Sequence, residues 1–343
     1  MSTSQHVNTF SENAKTEFTK WLNHKQLSMH FQPIIHTTTK TVQGYEALTR
    51  FPQSNSFSNP MELFQFAEEM NQLFRLEKQT RELAIELMSN HLHPHQKLWV
   101  NLSPNVIHDK NFTPGFTHSV LKDSTISPNQ IVFEITEQSA ITDFDSFREL
   151  LNHYREQGFT IAVDDVGSGY SSLQAISEIK PDYLKVDRSL ITDIHTSSEK
   201  QFMLEALQQI SLKMGSILIA EGVETEQEFS QLNSMGVEMM QGYYFAKPTF
   251  PPPEVPSNLM VPNHAYNRDQ QAPLRIDSLM TLNDFFSWLR DYTGPIDKQL
   301  AIIETKRMRA VIPLQEVIRF SSHSIISGLS SPMWKELIAW WRS

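Results

Sequence analysis

Seven residues stand at or near the ends of short apolar runs and share one kind of chemistry: Glu46, Asn101, Glu134, the adjacent pair Asp164 and Asp165, Lys185 and Glu221. Acids and amides offer oxygen ligands to hard divalent cations. Any one of these acids could simply cap the helix after it, but recurrence of the whole pattern reads as a metal site. Asp164 and Asp165 follow the run TIAV directly, and neighbouring acids repel unless cations lie between them. Lys185, within DYLKVDRSL, suits a buried strand only if it meets carboxylates or phosphate oxygens. Arg50, four residues after Glu46, is placed to offer a forked donor to a phosphate.

Two other motifs carry less. The loop DDVGSGYSS has Gly167, Ser168 and Gly169 just past the acids; it lacks the third glycine of GxGxxG and the lysine of a P-loop, so it reads as a lid over a metal site. His91, His93 and His95 in HLHPH invite zinc, but Pro94 and the end of a long helix argue for a solvated turn.

Residues so far apart in sequence converge if a parallel barrel gathers the carboxyl ends of its strands on one face. Apolar, β-branched runs do alternate with segments of helical period. They predict strands over His30–Ile35, Val42–Arg50, Leu98–Leu102, Ile131–Thr136, Thr160–Asp164, Tyr183–Val186, Ile217–Ala220 and near Met239. The clearest helices are Pro60–Met70, Arg75–Asn90, Phe144–Gln157, Lys200–Lys213 and Thr225–Ser234. Only HTTTKT separates the first two strands, too short for a crossover helix, so that pair should be antiparallel. The expected fold class is α/β, a TIM-type barrel over residues 20–250, after a flexible or helical lead-in over 1–19. Residues 251–275, rich in proline and asparagine, read as a linker. Residues 276–343 form a small C-terminal α/β extension of unknown role, with a helix around Leu282–Tyr292, a strand at QLAIIE and a final helix opened by Ser331 and Pro332. That last helix would gather Trp334, Leu337, Ile338 and Trp341 on one face, which suits packing on the barrel or on a protein partner.

Composition narrows the chemistry further. The chain has 343 residues, 39 acidic against 29 basic, and a net charge of −10, so no general field draws in nucleic acid or an anionic membrane. With no cysteine, thiolate zinc and thiol catalysis are excluded, and Mg²⁺ or Mn²⁺ fits the remaining donors best. There is neither a signal-peptide pattern nor an apolar run long enough to span a bilayer, and a cytoplasmic location is expected.

The blocks FQPI, GYEALTRF, NLSP, FEITE, DDVGSGYSSL, LKVDRSLI, EGVE and QGYYFAKP stand in this order over residues 20–250. In this the chain resembles the EAL-domain family of bacterial cyclic di-GMP phosphodiesterases. The resemblance implies a barrel with an antiparallel first strand, two Mg²⁺ or Mn²⁺ ions per active site, and hydrolysis of cyclic di-GMP to linear pGpG by in-line attack of water. It implies that Glu46, Asn101, Glu134 and Asp164 hold the first ion, with Asp164 and Asp165 at the second. Glu221 and Gln241 would complete the second ion's surroundings, Glu221 also as a candidate base. Lys185 would orient the attacking water, and Glu137 would brace the DDVGSG loop. Gln32, Arg50 and Glu224 would contribute substrate or supporting contacts. A homodimer through the barrel is a further family expectation. The chain departs from the usual DDFGTG and EALLRW at Val166, Ser168, Thr49 and Phe51, which bears on the lid and on dimerisation. The alternative is a catalytically silent cyclic di-GMP receptor or scaffold working through its C-terminal segment.

Overall fold

The computed structural model describes residues 11–113, 115–136, 144–168, 172–260, 274–276, 300–305, 308–313 and 317. The chain opens with α1 (Glu12–Asn23), β1 (Ser28–His36), β2 (Thr41–Arg50), α2 (Pro60–Glu69), α3 (Leu73–Met88) and β3 (Lys97–Asn101). It continues through α4 (Phe116–Leu121), β4 (Ile131–Thr136), α5 (Phe144–Glu156), β5 (Thr160–Val166), α6 (Ser172–Ile179), β6 (Tyr183–Val186) and α7 (Arg188–Ile191). The remaining elements are α8 (Ser198–Met214), β7 (Ile217–Ala220), α9 (Glu226–Ser234), β8 (Met239–Met240), β9 (Leu274–Ile276), β10 (Leu300–Thr305) and β11 (Met308–Pro313).

Strands β1 to β8 close a barrel in chain order. β1 runs antiparallel to both of its neighbours, β2 and β8, and every other pair is parallel. The predicted strands and helices of the barrel are present with ends shifted by no more than two residues. As the predicted bounds have it, Glu46 and Glu134 lie inside their strands, β2 continuing to Arg50 and β4 to Thr136.

Local chemistry explains the helix starts. Asn59 and Ser197 accept from the first-turn amides of α2 and α8, and Thr225 with Glu228 forms a reciprocal cap on α9. α1 extends through the boundary expected at residue 20 and buries Ala14, Phe18, Trp21 and Leu22, with Trp21 stacked on Phe51. Past the barrel, Thr249 pairs with Phe31 through both backbone hydrogen bonds, and the Tyr45 hydroxyl reaches the Pro253 carbonyl.

In the C-terminal segment, β10 pairs antiparallel with β11 and parallel with β9, and β11 lies against α8. The strand expected at QLAIIE is therefore present from Leu300, and β9 falls at the end of the stretch read as a linker. The helices predicted around Leu282–Tyr292 and from Ser331 lie outside the described residues, as do Trp334, Leu337, Ile338 and Trp341.

Candidate active site

The barrel interior holds an apolar layer made by Ile34, Trp99, Val132, Ala162, Tyr183, Ile219 and Met239. Gly44 completes it from β2, since a Cβ there would fall 2.5 Å from the Trp99 ring. Side chains on a strand alternate between faces, so the residue two positions further along points inward again. Applied to β2 through β8, that step gives Glu46, Asn101, Glu134, Asp164, Lys185, Glu221 and Gln241. β1 runs the other way, so its member is Gln32, two residues before Ile34. The polar layer thus sits directly above the apolar one, at the carboxyl ends of the parallel strands.

Lys185 is at its centre, 1 % exposed. Its ammonium lies 2.5 Å from Glu221 Oε1, 2.6 Å from Glu134 Oε1, 3.3 Å from Asp164 Oδ1 and 3.5 Å from Glu46 Oε2. Burial works against its charge, but the surrounding carboxylates outweigh burial and hold its pKa well above the usual lysine range. For Glu134, burial and then the neighbouring acids push the pKa far up against the pull of Lys185. Glu221 behaves likewise, raised by burial and by Asp164. Gln241 donates to Glu46 Oε2 at 2.6 Å and to Gln32 Oε1 at 3.1 Å, and Gln32 donates to the Ala246 carbonyl.

One ammonium among four carboxylates leaves an excess of negative charge, and the donor set fits a hard cation. Glu134 Oε2 and Gln241 Oε1 are each buried without a hydrogen-bond partner, as oxygens left for cations would be. Asp164, Asp165 and Glu221 each offer an oxygen within 4.8 Å of the other two. Adjacent strand residues would ordinarily point to opposite faces. Here the β5–β6 register shifts between Val163 and Val166, and Asp165 takes a left-handed φ of 58°, which turns its carboxylate to the side of Asp164.

Other predicted residues are more peripheral. Arg50 shares the inward parity of Glu46, is half-buried, and donates to its neighbour's carbonyl, Thr49 O. Burial lowers its pKa while Tyr243 and Glu46 favour its charge. Glu224 pairs with Arg188 at 2.8 Å on the rim. Glu137 lies outside the described residues. His93 and His95 stack face to face with ring centroids 5.9 Å apart, and neither joins a metal-ligating cluster among the described residues. A hollow of about 580 Å³ between α5 and α6, lined by Arg148, Arg155 and Lys180, contains none of the polar-layer residues.

Sequence reasoning missed two supporting groups. Glu77 on α3 is fully buried, accepts from the Ser103 amide just past β3 at 2.7 Å, and pairs with Arg81 at 3.0 Å. Its signal was an acid and a base four residues apart on the buried side of an amphipathic helix. Arg188 was passed over because it opens α7, a helix too short to show a period.

The EAL domain model matches residues 15–248. The chain belongs to the EAL domain family. The EAL barrel is 30% identical over 236 residues to the cyclic di-GMP phosphodiesterase NbdA of Pseudomonas aeruginosa, a match covering 68% of this chain and 30% of that protein. It is 28% identical to the probable cyclic di-GMP phosphodiesterase PdeB of Escherichia coli, over 66% of this chain and 43% of the relative. The chain thus spans less than half the length of these relatives. Among solved structures, a standalone EAL protein from Vibrio cholerae with c-di-GMP bound is 32% identical with a TM-score of 0.60, covering 68% of this chain and 97% of that one. A manganese/cy-diGMP complex of Klebsiella pneumoniae BlrP1 matches with the same identity and TM-score over 65% of this chain and 56% of its own. No helix among the described residues of this EAL protein is long and apolar enough to cross a membrane.

Proposed function

We propose that this EAL protein hydrolyses cyclic di-GMP to linear pGpG with two Mg²⁺ or Mn²⁺ ions, as a cytoplasmic enzyme. The observation that carries the reading is the polar layer itself: buried carboxylates in excess over one buried lysine, with Glu134 Oε2 lacking a partner. Glu46, Asn101, Glu134 and Asp164 would hold one ion, and Asp164 and Asp165 the other, with Glu221 and Gln241 beside it. When bound, such ions supply a nucleophilic water at neutral pH and charge stabilisation for the oxygens at phosphorus. The chain's own groups do the rest. The water oxygen bonds to phosphorus as one ring P–O bond breaks; Glu221 takes the water's proton, and the leaving oxygen is protonated from solvent. Lys185 stays charged and neutralises the phosphate oxygens. Arg50, Gln32 and Glu224 contribute at the substrate's edge, and a homodimer belongs to the same reading.

Incubation of the protein with cyclic di-GMP and Mg²⁺ or Mn²⁺, followed by chromatography, is the test. Metal-dependent pGpG is expected, falling by roughly a hundredfold or more in Glu46→Ala. Intact nucleotide under all metal conditions would defeat the reading. A matching relative, 27% identical, is named a blue light- and temperature-regulated antirepressor, BluF of Escherichia coli, so nucleotide that binds without turnover points to a receptor instead.

A further inference from the structure

α7 is one turn long, yet it touches three of the loops that carry the polar layer. It begins three residues after Lys185. Its Leu190 packs so closely on the loop after β5 that a Cβ at Gly167 would fall 2.4 Å from Leu190 Cδ1. The stem of Arg188 lies on Gly222, where a Cβ would meet Arg188 Cγ at 2.5 Å, and its guanidinium donates to Glu224 Oε2 at 2.8 Å. Gly222 and Glu224 belong to the loop that follows Glu221.

The short helix is itself anchored. Lys200 from α8 donates to the Ser189 and Thr192 carbonyls at its end, and Asp187 caps its start through the Ser189 amide. Glu228 from α9 accepts from the Asp193 amide with one oxygen and from the Glu224 and Thr225 amides with the other, joining the two loops a second time. Against this frame the Arg188–Glu224 pair, half open to water, adds little to overall stability. It does tie the loop after β7 to the helix that follows β6.

We propose that Arg188 and Glu224 form a clamp through which α7 holds Glu221 in position against Lys185, making Arg188 a positioning residue for the metal-binding layer. The inference rests on the function proposed above. The stem of Arg188 on Gly222 and the single charge-assisted contact at 2.8 Å set where the loop stands, and an ion held by a ring of oxygens tolerates little displacement of one of them.

The test is Mn²⁺ titration by calorimetry on the full chain without nucleotide, for the parent, Arg188→Ala, Glu224→Ala, the double alanine variant and the charge swap R188E/E224R. Thermal melts and kinetics with cyclic di-GMP accompany it. The clamp predicts roughly tenfold weaker Mn²⁺ binding in each single variant, no further loss in the double, and recovery in the swap and in Arg188→Lys. Melting midpoints should move by less than about 4 °C, and in Arg188→Ala kcat should fall while KM holds. Single variants that bind Mn²⁺ like the parent, or losses that multiply in the double, overturn the clamp. A parent that binds no Mn²⁺ overturns the function itself, so the two failures are distinct.

Discussion

Buried charge at single residues governs how this protein responds to pH. Glu77 is the case outside the polar layer. Burial raises its pKa from the ordinary 4.5 to about 7, and the opposing pull of Arg81 and the Ser103 amide does not cancel that. A folded-state pKa above the unfolded one means that its contribution is present below about pH 4.5 and lost as pH rises through 7. The parent should therefore lose stability relative to Glu77→Gln between pH 5 and pH 8, read as urea midpoints that start close together at low pH and separate at successively higher pH values. Equal pH slopes for the two proteins would show that Glu77 is ionised throughout. Of the candidate residues, Glu46, Asn101, Glu134, Asp164, Lys185 and Glu221 could be found in the sequence because a polar side chain interrupts or closes an apolar run. Glu77 had only the weaker signal of its i,i+4 spacing to Arg81, because an acid on a helix looks like solvent-facing surface until the packing of α3 against β3 is known.

At the level of elements, the two-residue step from apolar to polar layer does the positioning, and it depends on a tight floor. Gly44 is the narrowest point, with the Lys97 carbonyl 1.9 Å from where a Cβ would stand. Backbone cannot yield there as a flexible side chain would, so Gly44→Ala should cost more than about 3 kcal/mol or prevent folding, seen in a denaturant melt. An unchanged melt would mean that β2 and β3 can part without cost. Barrel strands and long helices were legible because their periods repeat; α7 and the short α4 and α6 were not, because one or two turns carry too few apolar positions to reveal a face. The left-handed turn at Asp165 was equally hidden. The sequence shows two acids side by side, and nothing in it says that a register shift aims both the same way.

For the molecule as a whole, residues after the last barrel strand belong partly to the barrel. The Thr249 bridge to Phe31, the contact of Phe250 with the same ring and the Pro253 carbonyl under Tyr45 all follow Lys247. A chain ending at Lys247 should be less stable than one ending at Met260 by roughly 1–3 kcal/mol, measured by thermal unfolding of the two. Equal midpoints would make the wrap ornamental. The reversed direction of β1 has a different consequence. In an all-parallel barrel the chain would enter from the floor, but here β1 starts beside Arg50 and runs down from the rim that bears the carboxylates, reaching Gln32 before any other member of the layer. Any pull on the entering strand would therefore reach Gln32, Gln241 and Glu46 through a few residues of β1 without crossing the barrel.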